Sequence, residues 1–260
     1  MTQAAVSHQV KALEERFGIV LFRRLPRGLA LTDEGRSLLP TLQETFDRLS
    51  IALDRFQGRH SREVLHVGVV GTFALGWLLP RLGDFEAACP HVDLRLTTNN
   101  NRVDIATEGL DFAIRFGGGA WHLTEADRLV EARLSPLCRP EAAARLDAPE
   151  DLRGEVLLRS YRADEWELWS AAAGIEPLAA RGPVFDSSLG LVEAALLGAG
   201  IALVPVAMFP RHRREGALVQ PFQTEVAAGS YWLTRLQSSP LTAAMTDFRT
   251  WILATAAGAR

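Results

Sequence analysis

The sequence has few cysteines and no long apolar run, and these absences exclude several classes of protein. Two cysteines, Cys89 and Cys138, are too few for a disulfide framework or a cysteine-based zinc site, and they predict reduced cytosolic thiols. No apolar stretch approaches the roughly 20 residues that a membrane-spanning helix needs. An apolar signal-peptide core is also missing near the N-terminus. We therefore expect a cytoplasmic protein that does not enter a membrane.

The signatures of common enzymes are also missing. The sequence contains no Gly-x-Ser-x-Gly nucleophile turn, no phosphate-binding loop and no run of residues with metal-ligand spacing. These absences argue against an enzyme, and they predict neither a catalytic residue nor a bound metal or cofactor. Low-complexity tracts and internal repeats are absent as well, which leaves a globular protein of non-repetitive design.

The composition is that of an ordinary globular protein, but the charge is unevenly distributed. The chain has 260 residues, of which 48% are hydrophobic and 23% charged, enough for one or two domains with proper cores. The first 31 residues carry five basic and two acidic side chains, a local charge of +3 in a chain whose net charge is −3. A basic N-terminal segment in an otherwise acidic chain predicts that this segment binds a polyanion.

Near the N-terminus, one apolar stripe predicts an amphipathic helix. The stripe consists of Val6, Val10, Leu13 and Phe17. Thr2 is the predicted N-cap and Gly18 the predicted end. An adjacent face carries small or hydrogen-bonding residues, which let a helix approach a DNA groove closely, although a plain surface helix has the same pattern. The candidate DNA-contacting residues on this face are Gln3, Ala4, Ser7, His8 and Lys11.

The next segment, VLFRRLPRGLALTDEG, predicts a basic β-hairpin. Its apolar residues alternate around the turn residues Pro26 and Gly28. Arg23, Arg24 and Arg27 surround the predicted tip, where they can contact phosphates. A helix followed by a basic hairpin is typical of a winged helix-turn-helix domain, here predicted over residues 1–31.

A heptad pattern follows the hairpin and predicts a dimerising helix over residues 32–57. Thr32 is its predicted N-cap. Apolar residues recur with steps of three and four, which suits pairing between helices, although a helix lying on its own domain has a similar pattern. The seam comprises Leu39, Leu42, Phe46, Leu49, Leu53 and Phe56.

The remaining residues, 58–260, predict an α/β domain with two lobes. Apolar β-rich runs alternate with helical segments, which is typical of parallel sheets covered by helices. We place the first lobe at about 64–136 and 234–260, and the second at about 137–233. Ligands of such folds bind where strands end and helices begin. Gly71-Thr72 and Ser187-Ser188 are two such places, although ordinary helix capping explains each of them too.

The N-terminal motifs TQAAVSHQVKALEERFGIVLFRR and LPRGLALTDEG resemble the DNA-binding domain of the LysR-type transcriptional regulators. The resemblance implies that the polar helix face contacts bases and that the hairpin arginines contact phosphates. It also implies a homodimer or homotetramer and a periplasmic-binding-protein-like effector domain. Members of the family carry about thirty further residues before this motif, so we expect these 260 residues alone to bind DNA weakly.

Motifs within residues 67–238 make the resemblance more specific, because they match one group of regulators within the family. VGVVGTFALGWLLPRLGDF, NNRVDIATEGLDFAIRFGGGAWH, LLRSYRADEW and GSYWLTRLQS resemble family members that regulate chromosomal β-lactamase genes. That resemblance implies a sensor of cell-wall recycling, activated by anhydro-muropeptides and held in a repressing state by a UDP-linked MurNAc peptide. It assigns the effector pocket to Gly71, Thr72, Asp104, Ser188 and Tyr231. The alternative is a two-lobed solute-binding protein without a DNA role.

Overall fold

The computed structural model describes most of the chain, in two compact units. The units are Met1–Ser61 and Arg62–Arg260. The described residues are 3–25, 28–39, 41–42, 45–46, 49, 62–99, 103–162 and 164–258. Within these ranges the side chains of residues 3–5, 24–25 and 28 are not described.

In the first unit, a helix is followed by a two-stranded hairpin, as predicted. Helix α1 (Gln3–Phe17) ends at Gly18, whose φ of +65° is a conformation that glycine adopts readily. Strands β1 (Phe22–Leu25) and β2 (Gly28–Leu31) pair antiparallel. The predicted cap Thr2 and the predicted turn residues 26–27 lie outside the described residues.

Two side chains stabilise the turns of this unit by accepting hydrogen bonds from backbone N–H groups. The Glu14 carboxylate on α1 accepts hydrogen bonds from the backbone N–H groups of Leu21 at 2.7 Å and Phe22 at 3.1 Å. Thr32 Oγ1 accepts from Gly35 N at 3.0 Å, which confirms its prediction as a helix N-cap. The helix that follows, α2, includes residues 33–39, 41–42, 45–46 and 49. The rest of the predicted 32–57 helix lies outside the described residues.

The second unit contains strands and helices along its whole length. Its strands are β3 (Glu63–Val70), β4 (Val92–Asn99), β5 (Phe112–Gly117), β6 (Thr124–Leu137), β7 (Leu157–Ser160), β8 (Val184–Phe185), β9 (Ile201–Pro205) and β10 (Val226–Leu236). Its α-helices are α3 (Gly71–Phe73), α4 (Leu82–Ala88), α5 (Pro140–Ala143), α6 (Glu165–Ala172), α7 (Ser188–Leu196), α8 (Pro210–Arg214) and α9 (Ala243–Gly258). A π-helical turn (Ala74–Leu78) and a 3₁₀ turn (Leu79–Arg81) join α3 to α4.

These strands form one mixed sheet in the order β4-β3-β5-β10-β6-β9-β7-β8. The outer strands on each side are parallel, as predicted, but the two central strands are antiparallel to their neighbours. Strand β6 pairs with β10 and then continues along β9, so the sheet runs through two lobes. We call β4, β3 and β5 with their helices the first lobe, and β9, β7 and β8 with theirs the second lobe.

Buried apolar side chains form two clusters. The larger one extends from the first lobe through the central strands into the second lobe, with Phe73, Phe85 and Phe248 among its fully buried members. The smaller one belongs to the second lobe and surrounds Trp169 of α6. Helix α6 was not predicted from the sequence. Its tryptophans at positions 166 and 169 are one helical turn apart, and both are buried.

Candidate ligand cleft and nucleic-acid interface

A cleft opens where strands of both lobes end. Val70 at the end of β3, Ser160 at the end of β7 and Pro205 at the end of β9 all line it. The space between its atoms and in its open mouth amounts to about 540 Å³, of which about 30 Å³ can hold the centre of a water molecule. Four of the five residues proposed for an effector pocket line this cleft, namely Gly71, Thr72, Ser188 and Tyr231.

Two helix starts face the cleft from opposite lobes. Thr72 lies in α3, directly after β3, and is only 4% exposed. In the second lobe Ser187 is the N-cap of α7, and its Oγ accepts from Gly190 N at 3.3 Å. Since Ser187 makes the capping hydrogen bond, the neighbouring Ser188 can offer its hydroxyl to a ligand.

Gly71 allows the two helix starts to lie close together. A Cβ atom built on Gly71 would be 3.0 Å from Cδ1 of Leu189, which lies in α7 of the other lobe. This separation is shorter than an ordinary van der Waals contact. A side chain at position 71 would therefore push against the second lobe, next to Thr72 and Ser188.

Tyr231 supplies a buried phenol to the floor of the cleft. It lies on β10, is 2% exposed, and packs against Phe73 and Phe116 at ring-centroid distances of 5.1 and 5.4 Å. Burial raises the pKa of its hydroxyl, while the nearby Arg162 opposes that change. The phenol is therefore neutral at physiological pH and can both donate and accept a hydrogen bond.

Asp104, the fifth residue of the predicted pocket, has a local structural role. Its Oδ1 accepts from the backbone N–H groups of Ala106 at 3.0 Å and Thr107 at 3.1 Å. Hydrogen bonding by Thr107 lowers the pKa of this carboxyl group, so that it is ionised at neutral pH. Asp104 is exposed and is not among the described residues that line the cleft. The geometry fits the capping interpretation of this residue.

Sequence reasoning missed three charged residues that line the same cleft, Arg162, Glu165 and Asp186. The Arg162 Nη1 atom lies 3.4 Å from Glu165 Oε1. Arg162 follows shortly after β7, and Glu165 begins α6, whose first turn is acidic. A signal was present in RADEWELW, because acidic residues favour the first turn of a helix. The prediction stopped at the preceding strand.

The first unit presents part of the predicted DNA-contacting surface. Ser7, His8 and Lys11 lie in α1 and are exposed. Lys11 Nζ is 3.7 Å from Glu15, a weak pair between exposed side chains. Arg23 is exposed on β1. Gln3 and Ala4 belong to α1 and Arg24 to β1, with side chains outside the described residues, as is the whole of Arg27.

Two family models match the chain. One is described as the bacterial regulatory helix-turn-helix protein of the lysR family and matches residues 1–36. The other is described as the LysR substrate binding domain and matches residues 58–257. The chain belongs to the LysR family of bacterial transcriptional regulators. This family consists of DNA-binding regulators with an effector-binding domain, not of enzymes.

Curated relatives are similar over almost the whole chain. The HTH-type transcriptional activator AmpR of Pseudomonas aeruginosa is 62% identical over 99% of this chain and 88% of its own length. The activator of the same name from Citrobacter freundii is 51% identical over 97% of this chain and 87% of its own length.

Solved structures agree with the fold of the second unit. The effector domain of Pseudomonas aeruginosa AmpR is 61% identical, with a TM-score of 0.74 over 75% of this chain and 96% of that domain. A Citrobacter freundii effector binding domain with three substitutions (threonine to valine, serine to alanine, tyrosine to phenylalanine) is 48% identical, with a TM-score of 0.72 over 74% of this chain and 98% of that domain. Among the described residues, no helix is long and apolar enough to cross a membrane.

Proposed function

We propose that this chain is a cytoplasmic regulator that senses cell-wall recycling muropeptides and controls a β-lactamase gene. The observation that carries the proposal is the cleft between two lobes, because Thr72 and Ser188, each at a helix start, line the same cleft as Tyr231. Helix starts present free N–H groups and favour anions, and hydroxyl groups bind carboxylate, amide and sugar oxygens. A muropeptide carries all three kinds of group.

Similarity to the AmpR proteins supports this assignment. The Pseudomonas aeruginosa activator is 62% identical over 99% of this chain. The residue types replaced in the substituted Citrobacter freundii effector domain are a threonine, a serine and a tyrosine. These are the types that Thr72, Ser188 and Tyr231 contribute to the cleft here. Asp104 remains a proposed effector residue, acting on the cleft from outside its lining.

Removing one hydroxyl from the cleft is expected to weaken muropeptide binding without unfolding the protein. Thr72→Val or Ser188→Ala should each reduce affinity for an anhydro-muropeptide at least about 10-fold, because a hydrogen bond to a charged group contributes about 1.5–3 kcal/mol. Asp104→Asn should also change the affinity. Isothermal titration calorimetry on the full chain measures these changes.

The matched control for these substitutions is Thr250→Val. Thr250 lies on the exposed face of α9, where its hydroxyl donates to Thr246 O at 2.8 Å. This variant should bind as tightly as the unsubstituted chain. Unchanged affinity in the Thr72, Asp104 and Ser188 variants together would contradict the assignment of the pocket.

The first unit supports the DNA-binding part of the proposal. Its exposed polar helix face and basic hairpin suit the major groove and the phosphate backbone respectively. In α2, four apolar residues of the predicted seam are exposed, up to 66% for Phe46; these residues are Leu39, Leu42, Phe46 and Leu49. Such a stripe is costly in water, and we propose that it is buried by pairing in a homodimer or homotetramer.

Replacing one hairpin arginine is expected to weaken DNA binding through phosphate contacts alone. Arg23→Ala should reduce the slope of log affinity against log salt concentration by about one, with little change in sequence preference. Fluorescence anisotropy over a series of salt concentrations, with a promoter fragment of a β-lactamase gene, measures the slope. Arg153→Ala, an exposed arginine of the second unit, should leave it unchanged. Muropeptide binding without any salt-dependent DNA affinity would favour a solute-binding protein.

A further inference from the structure

The Arg162 guanidinium is held rigidly inside the cleft. Its Cζ atom lies 4.2 Å from the ring centroid of Phe116 and 4.7 Å from that of Tyr161. Its Nη2 donates to the Tyr161 hydroxyl at 2.8 Å, and its backbone N–H donates to Ser160 Oγ at 3.1 Å. A guanidinium placed over aromatic rings can still bind a planar anion through the N–H groups of its edge.

Glu165 is a poorly compensated partner for this cation. It is only 6% exposed, and its contact with Arg162 Nη1 is long, at 3.4 Å. Burial raises the pKa of its carboxyl group, and the charge of Arg162 together with hydrogen bonding by Ser160 and Arg162 offsets that effect only in part. The pair therefore lacks the short, two-pronged geometry of a strong arginine–carboxylate contact.

The charged residues that line the cleft do not by themselves favour the binding of a ligand carboxylate in addition to Glu165. Among the described residues that line it, Arg162 is the one cation, while Glu165 and Asp186 are both acidic. A ligand carboxylate that enters must share Arg162 with Glu165 in a site of low polarity. Two carboxylates in such a site do not both stay ionised, and one of them takes up a proton.

We propose that Arg162 is the anchor for a ligand carboxylate and that Glu165 is an internal counter-ion which the ligand displaces. On binding, the ligand carboxylate pairs with the guanidinium, and Glu165 takes up one proton from solvent. This inference rests on the proposed function and deepens it, because it names the ligand group that the cleft selects. An acid is then preferred over its amide, since an amide cannot replace the charge of Glu165.

Because Glu165 takes up a proton when the ligand carboxylate binds, the affinity for the ligand changes with pH in one direction only. The groups that face Glu165 are Arg162 and Asp164 from the segment at the start of α6, Tyr231 from β10 and Asp186 from the segment before α7. Since the complex holds one more proton than the free protein, affinity for an acid rises as pH falls. The rise is at most about 10-fold per pH unit. Affinity for the amide has no such dependence on Glu165.

The test compares an anhydro-muropeptide with the same molecule carrying carboxamides in place of its carboxylates. Calorimetry on the full chain at pH 7, in buffers of different ionisation enthalpy, measures both affinity and proton uptake. We expect the acid to bind about 10- to 100-fold more tightly than the amide, with about one proton taken up, from the strength of charge-assisted hydrogen bonds. Arg162→Gln should abolish the preference, and Glu165→Gln should bind the acid without proton uptake.

A matched arginine–glutamate pair outside the cleft serves as the control. Arg145 Nη2 lies 2.7 Å from Glu155 Oε1. Arg145→Gln or Glu155→Gln should change neither the affinity for the acid nor the proton uptake on binding. Thermal unfolding confirms that each variant is folded, and the acid–amide comparison on the unsubstituted chain needs no variant. Equal affinity for the acid and the amide would overturn this inference but not the proposed function. Unchanged proton uptake in Glu165→Gln would have the same consequence. Failure to bind either probe overturns the proposed function as well.

Discussion

Replacing Trp169 by alanine is expected to lower the free energy of unfolding of the second unit by about 4 kcal/mol. Trp169 lies on α6 and is fully buried, with 0% of its surface exposed. Its ring packs against Trp166 and Phe222 at centroid distances of 6.1 and 5.8 Å. Removing the indole leaves a cavity at the centre of the smaller apolar cluster, which the surrounding rings can fill only in part.

The lost hydrogen bond of Trp169 contributes little to this decrease in the free energy of unfolding. Trp169 Nε1 donates to Thr224 O at 3.0 Å. The same carbonyl oxygen also accepts from Ser135 Oγ at 2.8 Å, so the alanine variant does not leave it without a hydrogen bond. Most of the destabilisation therefore comes from lost apolar burial and from the cavity.

Chemical denaturation followed by far-UV circular dichroism measures the Trp169 effect. The neighbouring Leu168 is the control, because it lies on the same helix but is 42% exposed. Leu168→Ala should cost less than about 1 kcal/mol, since surface substitutions have small effects. Equal losses for the two variants would contradict the description of α6 as a helix with Trp169 on its buried face.

Gly76→Ala is expected to destabilise the second unit by about 3 kcal/mol through overpacking. A Cβ atom at this position would lie 2.1 Å from the carbonyl oxygen of Met208 and 2.7 Å from its Cα. Both are backbone atoms, which cannot rotate away as a side chain can. Gly76 lies in the π-helical turn of the first lobe, and Met208 follows β9 in the second lobe. The methyl group therefore separates the two lobes.

The same substitution is expected to weaken muropeptide binding. Gly71 and Thr72 precede Gly76 on the same segment, so a displaced π-helical turn moves Thr72 relative to Ser188. We expect about a 10-fold loss of affinity, since one hydrogen bond to a charged group contributes about that much. Calorimetry gives the affinity, and thermal denaturation gives the stability.

Gly83→Ala is the matched control for Gly76→Ala. Gly83 lies in α4, and a Cβ built there meets no heavy atom within 4 Å. Alanine should stabilise this position by up to about 1 kcal/mol, because it is the better helix former. A Gly76→Ala protein as stable as the Gly83→Ala protein would refute the close backbone contact between the lobes.

Local patterns predicted much of the fold and of the cleft. The end of α1 at Gly18, the hairpin after it and the Thr32 cap all follow from preferences that act within a few residues. The same holds for the helix starts at Gly71-Thr72 and Ser187-Ser188, because small or hydroxyl-bearing residues between a strand and a helix mark such places. Gly71, Thr72 and Ser188 line one cleft for this reason, whereas Tyr231 on β10 was assigned to the pocket by resemblance alone.

Other features were missed because they depend on contacts distant in sequence. The antiparallel direction of β6 and β10 follows from pairing over roughly a hundred residues, which no local pattern encodes. Resemblance assigns Asp104 to the effector pocket, and in the structure its carboxylate accepts hydrogen bonds from its own turn. Arg162 gave no sequence signal of its own, since a single arginine after a strand is common. Its aromatic partner Phe116 is 46 positions away in the chain.

The sequence by itself determined the N-terminal helix and hairpin, the helix starts at Gly71-Thr72 and Ser187-Ser188, and membership of a DNA-binding family. Each of these depends on residue types at short and regular spacing. Only the tertiary structure decided which side chains share the cleft and which charges face each other there. Burial of Glu165 beside Arg162 arises when α6 packs against the central strands, and only burial makes that pair respond to an entering carboxylate.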